Sequence, residues 1–387
     1  MTIKKPCRPH NMQTNYASPF GEFELARFPL FESSKSQQNL QAWEGADTLL
    51  LEHIEQLDLG SAPRILIIND SFGALSCALA SYSPVIQTDS FLSQTAIKNN
   101  LSANACTEPE AVLASTEELS GHFDLVLIKV PKSLTMLEDQ LYRLRDQISE
   151  HSLVIAACMV KSLSKNTRQL FESILGPSTQ SLAAKKARLI HCTPEPSRWL
   201  GETNYPRSFK AYEMDFLCHA NVFAEGRVDP GTHVFLANLN LLPKAQSLLD
   251  LACGMGIMGI KSALACEATQ AYFCDESFMA IASTEHNAKT HLPGVQCVAE
   301  AGNGIPETFP KVELIVCNPP FHQQQAVGTD IALSMFQDAH AHLITGGEFW
   351  VIANRHLGYH GPLKRLFGNC DNMAQHSKYV LLRCTRT

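Results

Sequence analysis

Ser247-Leu-Leu-Asp-Leu-Ala-Cys-Gly-Met-Gly-Ile-Met-Gly259 decides the fold. Leu248 to Leu251 is a short apolar run bounded by turn residues, the pattern of a buried strand. The chain then turns on Gly254 and Gly256 and opens a helix near Gly259. This is the G-x-G-x-x-G layout of a βαβ unit, a weak signal by itself. Three further features sharpen it. Asp250 stands just before the glycines. A second apolar strand, Ala271-Tyr-Phe-Cys, ends in Asp275, 25 residues after Asp250. A third, Val312-Glu-Leu-Ile-Val-Cys, runs into Asn318-Pro319-Pro320-Phe321.

The same order of elements is legible upstream. A helix is predicted over Leu40 to Leu57, with Trp43, Ala46, Leu50 and Ile54 on one face. The strand Arg64-Ile-Leu-Ile-Ile68 runs into Asn69-Asp-Ser-Phe-Gly73 and a helix, Ala74 to Ala80. Val85-Ile-Gln-Thr88 ends in Asp89, which is read as the counterpart of Asp275. Phe123-Asp-Leu-Val-Leu-Ile128 runs into Lys129-Val-Pro-Lys132. Later segments also answer each other: Val154-Ile-Ala156 and Val351-Ile-Ala353, Arg168-Gln-Leu-Phe171 and Lys364-Arg-Leu-Phe367. Such self-similarity is the mark of a duplicated unit. The predicted fold is α/β, two tandem Rossmann-like domains.

Composition agrees. A chain of 387 residues is long for one domain, and 45% hydrophobic residues let each half bury its own core. The predicted division is a disordered tail over 1–20, a domain over 21–195, a Pro-marked linker over 196–232 and a second domain over 233–387. A net charge of −7 is a mild argument against nucleic-acid binding, which a local basic patch would have to offset. The 13 cysteines include no C-x-x-C pair and sit mostly in apolar runs, so neither a disulfide nor a zinc framework is expected. The N-terminus has no apolar core of a secretory signal, and no apolar run nears the ~18 residues of a membrane span. A soluble cytosolic protein without membrane contact is expected. No obligatory protein partner is evident.

These motifs resemble the S-adenosylmethionine (SAM)-dependent methyltransferases that modify planar exocyclic nitrogens. The resemblance implies SAM as methyl donor and no metal. It implies close backbone approach to the cofactor at the glycine turn. Asp250, Cys253, Gly254 and Gly256 become cofactor-binding candidates. The acidic side chains are expected to meet the ammonium group and the ribose, with Asp275 accepting from both ribose hydroxyls. In the family a Phe followed by an Asp-x-Gly-Thr turn packs over the cofactor, which nominates Phe223 and Thr232. The alternative is a core Phe and a Thr that caps a helix. The adenine amino group needs an acidic or amide side chain, and Glu300 and Asn303 share one loop. Ala252 stands where the family more often has Gly, with little effect expected.

The Asn-Pro-Pro-Phe stretch carries the chemistry. An exocyclic amine is a poor nucleophile because its lone pair is delocalised into the ring. The Asn318 side-chain oxygen and the Pro319 carbonyl can accept its two protons and localise that pair. Pro319 and Pro320 stiffen the loop and remove competing N–H groups. Phe321 offers a stacking face. His322 neighbours the loop. Arg355 and His356, with Asn354, follow a strand at its carboxyl end, the ligand side of such sheets, and are substrate candidates.

Finer motifs narrow the family. Arg27-Phe-Pro29, Leu40-Gln-Ala-Trp-Glu44, Ile128-Lys-Val-Pro-Lys132, Asn318-Pro-Pro-Phe-His-Gln-Gln324 and Val351-Ile-Ala-Asn-Arg-His-Leu357 together resemble the ribosomal RNA large subunit methyltransferase G family. Those bacterial enzymes methylate the N2 of one guanine in 23S rRNA. The resemblance implies 23S rRNA as partner. The first copy has Asn69-Asp-Ser-Phe-Gly73 in place of the glycine motif and Lys129-Val-Pro-Lys132 in place of Asn-Pro-Pro-Phe, so it is read as a degenerate domain that neither binds SAM nor catalyses. Lys129, Lys132, Lys161, Lys165, Arg168, Lys185, Lys186 and Arg188 accumulate there as a candidate substrate-positioning patch. Two alternatives stand beside this reading, a 16S rRNA guanine-N2 methyltransferase and a protein glutamine-amide methyltransferase.

Overall fold

The computed structural model describes residues 14–30, 40–60, 62–320 and 326–387. Residues 1–13 of the predicted tail lie outside the described residues. Two compact units divide the chain between Thr203 and Asn204.

The first unit opens with a hairpin of β1 (Asn15–Ser18) and β2 (Gly21–Glu24), so strand structure begins within residues 1–20. Helix α1 (Gly45–Ile54) starts later than its apolar face predicts. Glu44 and Asp47 form a capping box that sets the start, and Trp43 stays outside it, against Tyr16. Then follow β3 (Ile65–Ile68), α2 (Ala74–Ala78), β4 (Val85–Thr88), α3 (Phe91–Ala103), β5 (Ala111–Ala114), β6 (Leu125–Lys129) and α4 (Leu134–Leu144). The unit closes with β7 (Leu153–Met159), α5 (Lys165–Ile174), β8 (Ser178–Gln180) and β9 (Ala187–Cys192). The sheet order is β5-β4-β3-β6-β7-β9-β8. All pairs are parallel except β7 with β9 and β8 with β9. Helices cover both faces, so β3 is apolar throughout: Ile65 and Ile67 enter one core, Leu66 and Ile68 the other.

The second unit begins with a hairpin, β10 (Arg207–Ala211) and β11 (Met214–Cys218). Residues 196–232 are therefore not a plain linker. Phe216 and Cys218 alternate into the core, a period-2 signal that the flanking prolines obscured. Next come α6 (Pro230–Leu236), β12 (Ser247–Leu251), α7 (Ile257–Cys266), β13 (Gln270–Asp275), α8 (Phe278–His291), β14 (Gln296–Ala301) and β15 (Val312–Cys317). The unit ends with α9 (Ala326–His342), β16 (Leu343–Asn354), α10 (His360–Phe367), β17 (Asp371–Gln375) and β18 (Tyr379–Thr385). Its sheet order, β14-β13-β12-β15-β16-β18-β17, repeats the first unit strand for strand. The chain is two tandem Rossmann-like α/β domains. In each, the order reverses beside the first strand of the seven-stranded sheet, β3 or β12, and such switch points open a crevice at the carboxyl ends of the strands.

Candidate active site

β12 sets the floor of the site. Asp250, near its end, is fully buried. Its Oδ2 accepts the Gly259 N–H at 2.7 Å, and its Oδ1 is buried without a hydrogen-bond partner among the described residues. This approach requires glycine at 259. A Cβ there would stand 2.6 Å from the Asp250 Cβ and 2.6 Å from Phe273 Cε1. Burial pushes the Asp250 carboxyl up to about 7, the Gly259 N–H lowers it and the Asp275 charge raises it. Asp250 thus holds the start of α7 from inside the core.

The turn that follows is left-handed at Ala252 (φ 64°), Gly254 (φ 57°) and Gly256 (φ 82°). Gly254 donates its N–H to Asp275 Oδ2 at 2.9 Å, and Ser277 donates to Oδ1 at 3.1 Å. The strand-end carboxylate is thereby fixed against the glycine turn. A Cβ added at Gly254 would meet nothing within 4 Å, so the turn faces open space. The buried Cys253 Sγ lies 3.4 Å from Thr284 Oγ1, and burial pushes its thiol well up, so it serves as packing rather than as a nucleophile. Ala252 is the one left-handed residue of this turn that is not glycine, and such a residue costs on the order of 1 kcal/mol. Ala252→Gly is expected to raise stability by about 0.5 kcal/mol, net of the extra freedom glycine gives the unfolded chain. A higher urea midpoint at unchanged m checks it.

Asn287 of α8 is fully buried and was no more than a helix residue in sequence. Its Nδ2 donates to Met255 O at 2.9 Å and to Leu217 O at 2.8 Å, and its Oδ1 accepts the Leu217 N–H at 2.7 Å. Ser283 Oγ accepts the His219 N–H at 3.0 Å. One helix thus pins both the glycine turn and the segment leaving β11. Asn287→Ala is expected to destabilise by about 3 kcal/mol, since buried backbone groups lose their partners. Urea denaturation of the variant measures this directly.

β15 delivers Asn318. Its Nδ2 donates to Asp229 Oδ2 at 3.2 Å and to Thr232 Oγ1 at 3.1 Å. Asp229 is the N-cap of α6, and the same Oδ2 accepts from the Gly231 and Thr232 N–H groups at 2.8 and 3.1 Å. A carboxylate only accepts, so the Asn318 NH2 group must face it and the amide oxygen must point away. That Oδ1 is buried and has no partner among the described residues. Pro319 is buried and Pro320 half-buried. Phe321 and His322 lie outside the described residues.

The other candidates spread around the rim. Phe223 is 60% exposed, which removes the core-Phe alternative. Gly302 donates to Asp275 O at 2.9 Å, which brings the Glu300–Asn303 loop to the strand-end carboxylate. Glu300 Oε2 accepts from Thr308 Oγ1 at 2.9 Å, whereas Asn303 is exposed. Arg355 and His356 are exposed in a short turn after β16, and the Arg355 guanidinium donates to His376 O at 2.7 Å. Asp229 was missed as a site residue. Its place in an Asp-x-Gly-Thr turn before a helix was the available signal, but the sequence reading gave roles only to Phe223 and Thr232, and the cap is Asp229 rather than Thr232.

The first unit shows what the same scaffold looks like when closed. Ile68 pairs with Gln87 and Ile128, as Leu251 pairs with Cys274 and Cys317. Thr88, not Asp89, therefore stands where Asp275 stands. Asp89 lies one residue further, where its Oδ1 accepts from Ser115 Oγ at 2.6 Å. Lys129 takes the place of Asn318. It is buried, with Nζ 2.6 Å from Asp47 Oδ1 and 3.7 Å from Glu44 Oε2. Glu44 and Asp47 hold the N-cap and third positions of α1, as Asp229 and Thr232 do in α6. An ion pair thus fills the position that Asn318 holds in the second unit, and Lys129 leaves the expected basic patch. Arg168 and Lys185 are paired too, with Glu172 and Glu52.

Known proteins match over both units. A model described as the RLMG N-terminal domain covers residues 13–196, and one for the methyltransferase small domain covers 213–383. Ribosomal RNA large subunit methyltransferase G of Ectopseudomonas mendocina is 41% identical over 377 residues, covering 96% of this chain and 99% of the relative. The protein of that name from Streptomyces avermitilis is 37% identical over 386 residues, covering 97% and 100%. This chain belongs to the ribosomal RNA large subunit methyltransferase G family. Its second unit is accordingly a methyltransferase domain. A solved T. thermophilus 16S rRNA N2 methyltransferase, in complex with AdoMet and guanosine, superposes with a TM-score of 0.73 at 18% identity. It covers 97% of this chain and 98% of its own, which establishes the shared fold. Among the described residues, no cluster of three His, Cys, Asp or Glu side chains is gathered for a metal, and no helix is long and apolar enough to cross a membrane.

Proposed function

We propose that this protein methylates the exocyclic N2 of one guanine in 23S rRNA, with SAM as donor. The observation that carries the reading is the Asn318 side chain. Its NH2 group is held by acceptors while its buried Oδ1 has no partner among the described residues and is left as an acceptor, one loop away from an open glycine turn. Such an acceptor suits an amine that must surrender conjugation before it can attack.

The residues present fit the cofactor. The open side of Gly254 admits close backbone approach, and Asp275 stands beside it at the strand end. Asp275 would take the ribose hydroxyls, and Glu300 or Asn303 the adenine amino group. SAM supplies an electrophilic methyl group when bound. This chain supplies orientation. Asn318 Oδ1 and the Pro319 carbonyl accept the two N2 protons and turn the nitrogen lone pair toward the crevice. The nitrogen gains positive charge as it is methylated, which strengthens both hydrogen bonds, and it then sheds one proton to water. Positioning of this kind supplies the rate gain. The guanine must be unpaired or flipped to reach the loop. Phe321, His322, Arg355, His356 and Phe223 are proposed as base and cofactor contacts, and the first unit as a non-catalytic RNA-positioning domain.

Labelled-methyl transfer from SAM to protein-free 23S and 16S rRNA from unmodified cells tests this. Label in 23S, found as N2-methylguanine on nucleoside digestion, is the expected outcome. Label confined to 16S would move the substrate to the small subunit. Label on a protein glutamine and none on RNA would overturn the RNA reading.

A further inference from the structure

We propose that Asp229 and Thr232 are positioning residues that lock the Asn318 amide with its oxygen toward the substrate amine. The inference rests on the methyltransferase reading above and deepens it.

An asparagine amide is nearly symmetric in shape, and in the wrong orientation Asn318 would present donors to an amine that has only protons to offer. Two acceptors prevent this. Asp229 Oδ2 and Thr232 Oγ1 lie 3.2 and 3.1 Å from Asn318 Nδ2. Thr232 is buried, at 9% exposure, and Asp229 is itself fixed by two N–H groups of α6. The carboxylate charge also polarises the amide, which makes Oδ1 a stronger acceptor as charge develops on the amine. Gly231, between them, packs against the Tyr379 ring, where a Cβ would come within 3.2 Å.

The first unit supports the specificity of this arrangement. There the N-cap and third residues of α1 hold the strand-end side chain in the same way, with Glu44 and Asp47 on Lys129. In both units the helix start reaches the end of the fourth parallel strand and takes its donor. Only in the second does the held side chain also carry an acceptor to spare.

Thr232 was a candidate cofactor contact in the sequence, and the two roles separate kinetically. The test uses full-length Asp229→Asn, Thr232→Val and Thr232→Ser with 23S rRNA. Asn is as good an N-cap as Asp, so Asp229→Asn keeps the helix start while removing the charge. The expected result is a fall in kcat of about tenfold or more for Asp229→Asn and Thr232→Val, with the KM for SAM within about twofold and near-complete rescue in Thr232→Ser. A raised KM for SAM at unchanged kcat, or unchanged kcat in both variants, would overturn the proposal. A second readout needs no turnover. In protein labelled with ¹⁵N-asparagine, the Asn318 side-chain NH2 pair is identified by its loss in Asn318→Ala. It should shift in both Asp229→Asn and Thr232→Val, and an unmoved pair would refute the lock. Should the wild type transfer no methyl to RNA, the functional reading falls while this spectrum still judges the lock.

Discussion

Asn318→Ala should cut methyl transfer to rRNA about a hundredfold or more while leaving the protein folded and SAM bound. Removing one preorganised group that acts mainly in the transition state costs on the order of a hundredfold to a thousandfold in kcat. Asn318 meets that description, since its oxygen has no other partner among the described residues and its NH2 group is committed to Asp229 and Thr232. The glycine turn and Asp275 are held by Gly254, Ser277 and Asn287 contacts that do not involve Asn318. SAM affinity by calorimetry should therefore stay within about threefold, because the loss lies in the transition state. Loss of SAM binding in step with activity would place Asn318 in the cofactor site and sink the amine-acceptor role.

Asp250 should make stability fall with rising pH. Its carboxyl is pushed from an ordinary 3.8 up to about 7 by burial, with the Gly259 N–H opposing and the Asp275 charge adding. Between those values the folded state keeps a proton that the unfolded state has lost. Its contribution is thus complete below about pH 4, is lost as pH rises toward 7, and is flat above. Asp70 in the first unit is raised in the same direction, chiefly by burial. Asp250→Asn isolates one group, since the amide can still accept from Gly259 and does not titrate. The stability difference between variant and wild type, from urea curves, should move by roughly 3 kcal/mol in favour of the variant between pH 5 and pH 8. Parallel pH curves for the two proteins would show that Asp250 does not hold this proton.

Much of the site was legible because its residues stand at strand ends with distinctive neighbours. Asp275 closes an apolar run, and Asn318 precedes two prolines. Such positions map onto the carboxyl rim of a parallel sheet once the sheet is inferred. Short edge strands such as β5 and β8 were not legible, because three or four residues carry too little pattern. The hairpin of β10 and β11 was hidden by its flanking prolines. Asp89 was placed opposite Asp275 by counting residues. A one-residue difference in strand length is invisible in sequence and plain in the ladder, where Ile68 faces Gln87.

The sequence by itself determined the duplicated α/β architecture and the family. Hydrophobic period and turn residues are local, and they survive being read one segment at a time. Only the tertiary structure decided what each polar side chain does. Asp250, a candidate for the cofactor's charge, is a fully buried clamp on α7. Asp229, given no role in the sequence, accepts from the Asn318 side chain across 89 residues of chain. Lys129, counted with a basic surface, is a buried plug paired with Asp47. The physical reason is common to all three. A buried polar atom is defined by the partner that satisfies it, and that partner comes from a distant part of the chain that no local pattern names.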